Sequence, residues 1–299
     1  MNPEVWLNWQ CVVERQAEGR FGADRADSIT TGQIRKWHED MVTWGTISVA
    51  TANPTVGAAG AIFQWVAMQD TPWIATSPVV RLRLAAAPGR RVFWTLEKQQ
   101  KFVAWCDANG YADVADAVTV CLWTGARQID VCATDVEDLT GTAWRFVPIK
   151  TKKKGLEALP GLLPPVARRV ERRRLEAESR SISRIGRTPF LWFRAGGRRH
   201  DSDSIGNQFR AARDAAIEAK AMPASFIEKR LQDTRDTCIT RLFDADVSLT
   251  RITAWTCHAS SSAENILREH YVSLREAGAA QHAAKLAAWA EREGVALAG

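Results

Sequence analysis

Apolar positions recur at helical spacing through the first quarter of the chain. The stretch "DSITTGQIRKWHEDMV" opens with Asp and Thr residues of the kind that cap helices, and "ANPTVGAAGAIFQWVAMQ" places Val56, Ile62 and Val66 at near-helical intervals. The following stretch, "DTPWIATSP", interrupts this pattern with two prolines. The pattern predicts helices across residues 27–71.

The rest of the chain is also predicted to be mostly helical, with one exception. "TLEKQQKFVAWCDANG" and "ADVADAVTVCLWTG" are capped apolar-periodic segments that end at Gly110 and Gly125, similar segments follow residue 163, and an Ala-rich helix ends the chain. Between them, "TAWRFVPIKTKKKGLEALPG" alternates and turns as a short hairpin does, with Lys150 near its tip. The predicted fold class is mainly α with a small β-hairpin or sheet (α+β).

Chain length and a basic linker indicate two domains. A chain of 299 residues exceeds the usual size of one domain, and "RLRLAAAPGRR" at 81–91 is small, basic and contains a Pro-Gly pair. We therefore predict a helical domain at 1–88 and a second domain, with a C-terminal helix, at 89–299.

Positive charge is concentrated in one region. The net charge is +6, but residues 145–235 carry 22 Lys and Arg against 10 Asp and Glu, whereas the remainder carries 18 against 24. Runs such as "KTKKK", "RRVERRR" and "RAGGRR" within this region favour contact with a phosphate backbone. For the arginines of 168–174, a solvated helix face is an equally good interpretation.

The sequence gives little support to several other classes of protein. It has no stretch of about 18 apolar residues and no secretory signal at its N-terminus, so we expect a cytoplasmic protein with no membrane association. Its six cysteines lack C-x-x-C pairs and its five histidines are dispersed. We therefore predict reduced thiols in the core, no metal site and no cofactor.

Tyrosine is rare in this chain, which has two tyrosines beside 13 tryptophans, and one of them is Tyr271. A phenol has a pKa of about 10, so it becomes a nucleophile only when nearby cations stabilise its anion or a base takes its proton. Arginines that grip a phosphodiester supply such cations, and a lysine on a hairpin is a suitable donor of a proton to a leaving oxygen.

These groups occur in a recognisable order. "CLWTGARQIDVCATDVEDL" is followed by "PIKTKKKGLEALP" and then by "LQDTRDTCITRLFDADVSLTRITAWTCHASSSAENILREHYV". The series resembles the tyrosine recombinase (phage integrase) family, with its TG-x-R motif, hairpin lysine, H-x-x-R motif, GH motif and C-terminal tyrosine. The resemblance implies five catalytic residues: Arg127, Lys150, Arg235, His258 and Tyr271. Lys152 is a second candidate for the hairpin lysine.

The sequence departs from the family pattern at two positions. Gln232 stands where the family has the histidine of H-x-x-R, and it can donate a hydrogen bond to a phosphate but cannot exchange a proton at neutral pH. Gln232 is therefore a weaker catalytic candidate. Cys257 replaces the glycine before His258, which matters if the backbone there needs a positive φ.

The resemblance implies a site-specific DNA recombinase or integrase, with a helical core-type DNA-binding domain at 1–88 and a catalytic tyrosine recombinase domain at 89–299. Such an enzyme cleaves and rejoins strands of duplex DNA through a 3′-phosphotyrosyl intermediate, without metal or cofactor, and assembles as a tetramer on DNA. An alternative from a different class remains open, because "SLTRITAWTCHASSSAENILREHY" also fits a helix-turn-helix. On that interpretation the chain is a non-catalytic DNA-binding regulator or an inactive relative of the recombinases.

Overall fold

The computed structural model describes the backbone of residues 18–43, 47–80, 82–85, 92–180, 187–193 and 198–272. The predicted Ala-rich helix at the end of the chain lies outside these residues. The chain divides into two compact units, Met1–Arg90 and Arg91–Gly299. None of the described helices is both long and apolar enough to cross a bilayer.

The described part of the first unit is helical. Its helices are α1 (Glu18–Phe21), α2 (Thr31–Thr43) and α3 (Val49–Ala67). Ile34 and Met41 of α2 and Val56 of α3 are buried in a common core. Burial of these periodic apolar positions accounts for the helices that the pattern predicts.

The second unit contains eight helices within the described residues. They are α4 (Leu96–Ala108), α5 (Ala112–Thr124), α6 (Gln128–Ala133), α7 (Pro164–Arg180), α8 (Ser202–Glu218), α9 (Asp233–Asp244), α10 (Leu249–Thr256) and α11 (Ser260–Val272). An aromatic cluster of Trp94, Phe102, Phe209 and Phe226 lies in the core, with ring centroids 5.0 to 6.1 Å apart. A smaller core of Ile239, Ile252 and Leu267 joins α9, α10 and α11.

The caps predicted for α4 and α5 are confirmed. The Thr95 hydroxyl accepts a hydrogen bond from the Lys98 amide at 3.2 Å, and Gly125 ends α5 in the left-handed conformation. The side-chain oxygen satisfies one of the free amides at the helix start, and glycine adopts positive φ without steric cost.

The predicted hairpin is present only as a short antiparallel pairing. Phe146 pairs with Ala158 and Ala143 with Gly161 in isolated bridges, and the described residues contain no regular strand. Its tip is a 3-10 helix at Ile149–Lys154. The prediction of a mainly α fold is thus confirmed, whereas a small sheet is not.

The arginines of 168–174 correct the expectation of a free basic surface. Arg169 bonds both carboxylate oxygens of Asp107 at 2.6 Å, and Arg173 is completely buried in ion pairs with Asp113 and Asp116. Arg174 pairs with Glu171 and Glu178 of its own helix. Arg169 and Arg173 neutralise carboxylates of α4 and α5 and so fix α7 against them, which removes these two from any DNA-binding surface. Arg174 is half exposed in ion pairs within its own helix, as on a solvated helix face.

Arg199 gives a similar result for the described end of the run "RAGGRR". Its guanidinium donates to the carbonyls of Cys132 and Thr134 at 3.0 and 2.9 Å and pairs with Asp135. The charge of this arginine is therefore used to hold the loop after α6.

Candidate active site

The "TGAR" motif forms a tight turn between α5 and α6. The Thr124 hydroxyl donates to the Val120 carbonyl at 2.7 Å and accepts from the Ala126 amide at 3.2 Å. Gly125 turns the chain with φ +67°, and Arg127 is the N-cap residue of α6. The hydrogen bonds of the turn thus fix the position from which the Arg127 side chain extends.

Only glycine fits at Gly125. A Cβ atom there would lie 2.7 Å from Thr256 Cγ2 and 3.3 Å from the Cys238 sulfur, and the positive φ is itself unfavourable for other residues. The Gly125 carbonyl also accepts a hydrogen bond from Arg235 Nη1. The glycine therefore allows the end of α5 to meet α9 and the end of α10.

Arg235 is held at three points by its guanidinium. Besides Gly125, its Nη2 donates to the Thr256 carbonyl at 2.6 Å and its Nε donates to His258 Nε2 at 3.0 Å. The residue is only 7% exposed. Arg235 and His258, which lie on different helices in the sequence prediction, are therefore in direct contact.

The hydrogen bonds of His258 fix its tautomer. Because Nε2 accepts from Arg235, the ring proton of the neutral imidazole lies on Nδ1. Nδ1 is 2.8 Å from the Thr256 hydroxyl, which itself donates to the Ile252 carbonyl at 2.8 Å. His258 thus presents a lone pair, rather than a proton, on the side of the ring that faces Arg235.

A second guanidinium, that of Arg127, is near enough for its charge to act on Arg235 and His258. Its Nη1 is buried and has no hydrogen-bond partner within the described part of the chain. Burial, and then the charge of Arg127, lower the pKa of Arg235 to about 10. Burial and the same two arginines lower the pKa of His258 to about 3. At neutral pH the site therefore holds two partly desolvated positive charges beside a neutral imidazole, an arrangement that favours an anion.

Asp130 was not among the predicted catalytic residues, but the structure places it in this site. Its Oδ1 accepts from the Ile149 amide at 2.8 Å, and its Oδ2 is buried without a partner among the described residues. Burial raises the pKa of Asp130, against the opposing effects of the Ile149 amide, Arg127 and Arg235. Its position three residues after Arg127 on one helix face is the signal in the sequence that indicates it.

The backbone before His258 does have a positive φ, at a position where Cys257 stands in place of the glycine of the family pattern. Cys257 caps α10 with φ +54° and ψ +38°. A residue with a Cβ in this left-handed region costs about 1–2 kcal/mol. The strained residue lies between Thr256 and His258, both of which contact Arg235 or its partners.

In the described part of the chain, no hydrogen bond or ion pair joins the side chains of the remaining predicted residues to this cluster. Lys150 and Lys152 are exposed on the 3-10 helix at the hairpin tip, and Gln232 is exposed at the start of α9, one turn before Arg235. The backbone of Tyr271 is in the last turn of α11, about 16 Å along the helix axis from Ser260. The Tyr271 side chain lies outside the described residues.

A cationic cleft adjoins the cluster. It has a volume of about 490 Å³, and its wall includes Gln128 and Gln232, which neighbour Arg127 and Arg235 in sequence. The cations that line it are Arg210, Arg213, Lys229 and Arg230, against one carboxylate, that of Asp203. The positive charge next to the cluster therefore comes from α8 and the segment before α9, not from the arginines of α7.

The lowered pKa of His258 predicts a loss of stability in acid. Histidine in an unfolded chain has a pKa of about 6.5, so between pH 6.5 and 3 the unfolded chain binds a proton that the folded chain does not. Stability from this residue is complete above pH 6.5 and falls as the pH falls. We expect urea unfolding to show about 1–2 kcal/mol of stability lost between pH 7 and pH 5 that His258→Asn does not lose. Equal losses in the two proteins would contradict the assigned environment.

Comparison with known proteins supports the fold. No family model and no curated protein matches the sequence. The Tn1549 transposon integrase in complex with transposon right end DNA is similar at a TM-score of 0.69 and 16% identity, over 92% of this chain and 95% of that chain. A lambda integrase dimer bound to a COC′ core site gives 0.68 and 15%, over 89% of each chain. A lambda integrase tetramer bound to a Holliday junction gives 0.65 and 16%, over 87% of this chain and 72% of that chain. The chain has the fold of these integrases, so the resemblance to the phage integrase family is confirmed at the level of the fold.

Proposed function

We propose that this protein cleaves and rejoins DNA strands as a site-specific recombinase, with Tyr271 as the nucleophile. The observation that carries the proposal is the Nη1 of Arg127, which is buried without a partner among the described residues and whose charge acts on the Arg235–His258 pair. Buried polar groups in proteins nearly always have partners, so an unpaired guanidinium nitrogen in a doubly positive site indicates a missing anion. A phosphodiester of DNA is such an anion.

The two arginines are suited to the transition state of phosphoryl transfer. Negative charge accumulates there on the non-bridging oxygens, and prepositioned donors stabilise it without further reorganisation. Hydrogen bonds to the carbonyls of Gly125 and Thr256 preposition Arg235. Its pKa is lowered only to about 10, so it remains charged at neutral pH. Arg127 supplies a donor, Nη1, that has no partner among the described residues.

The proton of the attacking phenol needs an acceptor, and the structure favours His258 over Gln232. A glutamine amide does not take up a proton at neutral pH, whereas neutral His258 has its lone pair on Nε2. A bound phosphate is an anion and therefore raises the pKa of His258 from its value of about 3. When the Nε–H of Arg235 bonds a phosphate oxygen instead of Nε2, Arg235 keeps its bonds to Gly125 and Thr256, and Nε2 accepts the proton as the bond from the Tyr271 oxygen to phosphorus forms. The protonated ring then donates a hydrogen bond to a non-bridging oxygen.

The bond that breaks is the one from phosphorus to the 5′ oxygen of the next nucleotide, which leaves with a proton. Lys150 is the proposed donor because it directly follows Ile149, whose amide is held by Asp130 next to Arg127. Lys152 lies on the same 3-10 helix without that adjacent anchor. The 5′-hydroxyl of another strand then attacks the phosphotyrosine in the reverse step, so the energy of the ester is conserved.

The regulator alternative explains fewer of these contacts. Helices α10 and α11, separated by a short turn at His258, do have the outline of a helix-turn-helix. In such a protein, however, the turn has no reason to place an imidazole against a buried arginine. The convergence of α5, α9 and α10 on one anion site therefore favours the recombinase.

The proposed partner is duplex DNA, with the protein assembled on it as a homo-oligomer. The cleft beside the cluster is cationic, and its Arg210 and Arg230 are proposed to contact the backbone next to the scissile phosphate. The other two cations are held by the protein: Lys229 donates to the Phe93 carbonyl and Arg213 pairs with Asp214. The similar lambda integrase is seen as a dimer on a core site and as a tetramer on a Holliday junction. A tetramer on DNA is the proposed state of this chain.

Covalent trapping tests the proposal. The protein is incubated without metal on nicked duplexes that carry candidate sites from its own genomic neighbourhood, and complexes are resolved in SDS. We expect a protein–DNA adduct that is absent from Tyr271→Phe, because a phenylalanine has no oxygen with which to attack phosphorus.

The second tyrosine provides the matched control. Tyr111 stacks on Trp105 with ring centroids 5.7 Å apart, so Tyr111→Phe keeps the packing and removes only the hydroxyl. It should form the adduct at the wild-type level. If DNA that the wild-type protein binds tightly yields no adduct, the regulator alternative gains and the proposed function fails.

A further inference from the structure

The hairpin that carries Lys150 is attached to the catalytic cluster at two separate points. Its own pairing is short: Phe146 and Ala158 exchange backbone hydrogen bonds at 3.1 and 2.8 Å, and Trp144 donates to the Pro160 carbonyl at 2.9 Å. Such a short two-stranded element has little stability in isolation. The position of its tip therefore depends on what the hairpin contacts.

The first attachment is at the beginning of the tip. The Ile149 amide, immediately before Lys150, donates to Asp130 Oδ1 at 2.8 Å. Asp130 belongs to α6, the helix that Arg127 caps. This hydrogen bond links one end of the lysine segment to the first arginine.

The second attachment is on the returning strand. The Leu159 amide lies 3.4 Å from the Ala254 carbonyl of α10, and the Gly161 backbone lies against the indole of Trp255. A Cβ atom on Gly161 would stand 2.9 Å from Trp255 Cη2 and 3.5 Å from its Cζ3. The Trp255 Nε1 is buried and has no hydrogen-bond partner among the described residues. Close packing, rather than a hydrogen bond of the indole, thus holds the hairpin on α10.

The residue after Trp255 belongs to the cluster. The Thr256 carbonyl accepts from Arg235, and its hydroxyl lies 2.8 Å from His258 Nδ1. Two consecutive residues of α10 therefore make different contacts: the Trp255 side chain packs on the hairpin, and the carbonyl and hydroxyl of Thr256 bond Arg235 and His258. A displacement of the indole changes the distance between the lysine segment and the cluster.

We infer that Trp255 and Gly161 are positioning residues for the protonation step, holding the hairpin so that Lys150 reaches the leaving 5′ oxygen. This inference rests on the proposed function. The chemistry that it concerns is narrow: the bond from phosphorus to the 5′ oxygen breaks, and the proton from the lysine ammonium goes to that oxygen. Loss of the contact impairs this proton transfer and leaves attack by Tyr271 and charge stabilisation by Arg235 intact.

The test uses two nicked duplexes that differ in one atom. In one, the 5′ bridging oxygen of the scissile phosphate is replaced by sulfur, whose thiolate leaves without a proton because a thiol has a pKa of about 8.5. Single-turnover cleavage is measured for wild type, Lys150→Ala, Trp255→Ala and Gly161→Ala. On ordinary DNA we expect each variant to be slower by about 10²-fold, in the range of general-acid effects, and on the sulfur substrate to approach the wild-type rate.

Two further variants test whether slow cleavage comes from the lost contact rather than from misfolding. Trp255→Phe keeps an aromatic face against Gly161 and should stay close to wild type on both substrates. Combining Gly161→Ala with Trp255→Leu makes room for the new methyl group, so the pair should be no slower than Trp255→Leu alone. Folding of each variant is checked by thermal unfolding.

The outcomes separate this inference from the proposed function. Variants of Trp255 and Gly161 that cleave ordinary DNA at the wild-type rate, or that are equally slow on both substrates, overturn the positioning role. A wild-type protein that cleaves neither substrate overturns the proposed function instead.

Discussion

Replacing Arg235 by alanine should reduce DNA strand cleavage by about 10³-fold or more while leaving most of the protein folded. Removal of one preorganised donor to a developing oxyanion typically slows a reaction by 10²–10³-fold, and Arg235 supplies a charged fork rather than a single donor. The measurement is the rate of adduct formation on a nicked duplex, compared with DNA affinity and thermal unfolding of the same preparation.

Stability should change less than activity, because two effects oppose each other. The variant leaves the buried carbonyls of Gly125 and Thr256 without their donor, which costs about 1–3 kcal/mol each if no water replaces it. It also removes a buried cation whose pKa is lowered by burial and by Arg127, so an unfavourable charge is lost. We expect a net loss of about 1–3 kcal/mol, which leaves the folded state populated.

Two control variants make the result interpretable. Arg235→Lys keeps a positive charge but cannot donate to Gly125, Thr256 and His258 at once, so it should remain inactive. It loses donors to the carbonyls and keeps the buried charge, so its stability should fall at least as much as that of Arg235→Ala. Arg251 is exposed on α10, and Arg251→Ala should cleave normally. Cleavage by Arg235→Ala within tenfold of wild type would exclude the proposed role of Arg235.

Much of the helical framework follows from local sequence because the signals are local. A cap such as Thr95 and a glycine such as Gly125 act on the first and last turns of their own helices, and the structure bears both out. The hairpin was predicted from alternation alone, which indicates where the chain turns but not how many residues pair. Its pairing is short, and the returning segment contacts α10 through Leu159 and Gly161 instead.

The candidate site could be predicted only as an ordered set of residues. The sequence indicates Arg127, Arg235 and His258 as candidates, but the tautomer of His258 depends on contacts with Arg235 and Thr256 that no spacing reveals. The place of Asp130 in the site could not be predicted either, because its hydrogen-bond partner Ile149 lies 19 positions away on the hairpin. The strain at Cys257 is likewise a property of backbone geometry, and the residue type alone does not report it.

Neither interpretation of the arginine run anticipates the burial of Arg173, for a related reason. Composition counts a guanidinium as available wherever it lies, whereas Arg173 is completely buried. Its partners Asp113 and Asp116 precede it by 60 and 57 positions, on a different helix. Charge pairing over that separation is set by tertiary structure, so a basic run in a helix does not by itself indicate a DNA-binding surface.

We therefore expect Arg173→Met to lower the free energy of unfolding by about 3–5 kcal/mol without changing DNA affinity of the folded protein. Breaking a buried ion pair by removing one partner costs about 3–5 kcal/mol when it leaves uncompensated charge. Asp116 keeps its pairs with Arg169 and Arg172 and Asp113 stays beside His200, so we expect the lower end of that range. Methionine fills much of the arginine volume and lies against the Trp192 ring, over which the guanidinium now stands at 4.7 Å from the centroid. The loss is therefore electrostatic in origin rather than a cavity effect.

Both a neighbouring residue and the pH provide checks. Arg174→Met removes only the exposed pairs with Glu171 and Glu178 and should cost less than about 1 kcal/mol.

The pKa of Asp113 is lowered in the fold, because hydrogen bonding to His200 and the charge of Arg173 outweigh the raising effect of burial. Stability from a carboxylate with a lowered pKa is present above its unfolded value of about 3.9 and is lost as the pH falls through the folded value. The difference between wild type and Arg173→Met should therefore be largest near pH 7 and shrink below about pH 4, whereas a difference that does not depend on pH would place its origin in packing.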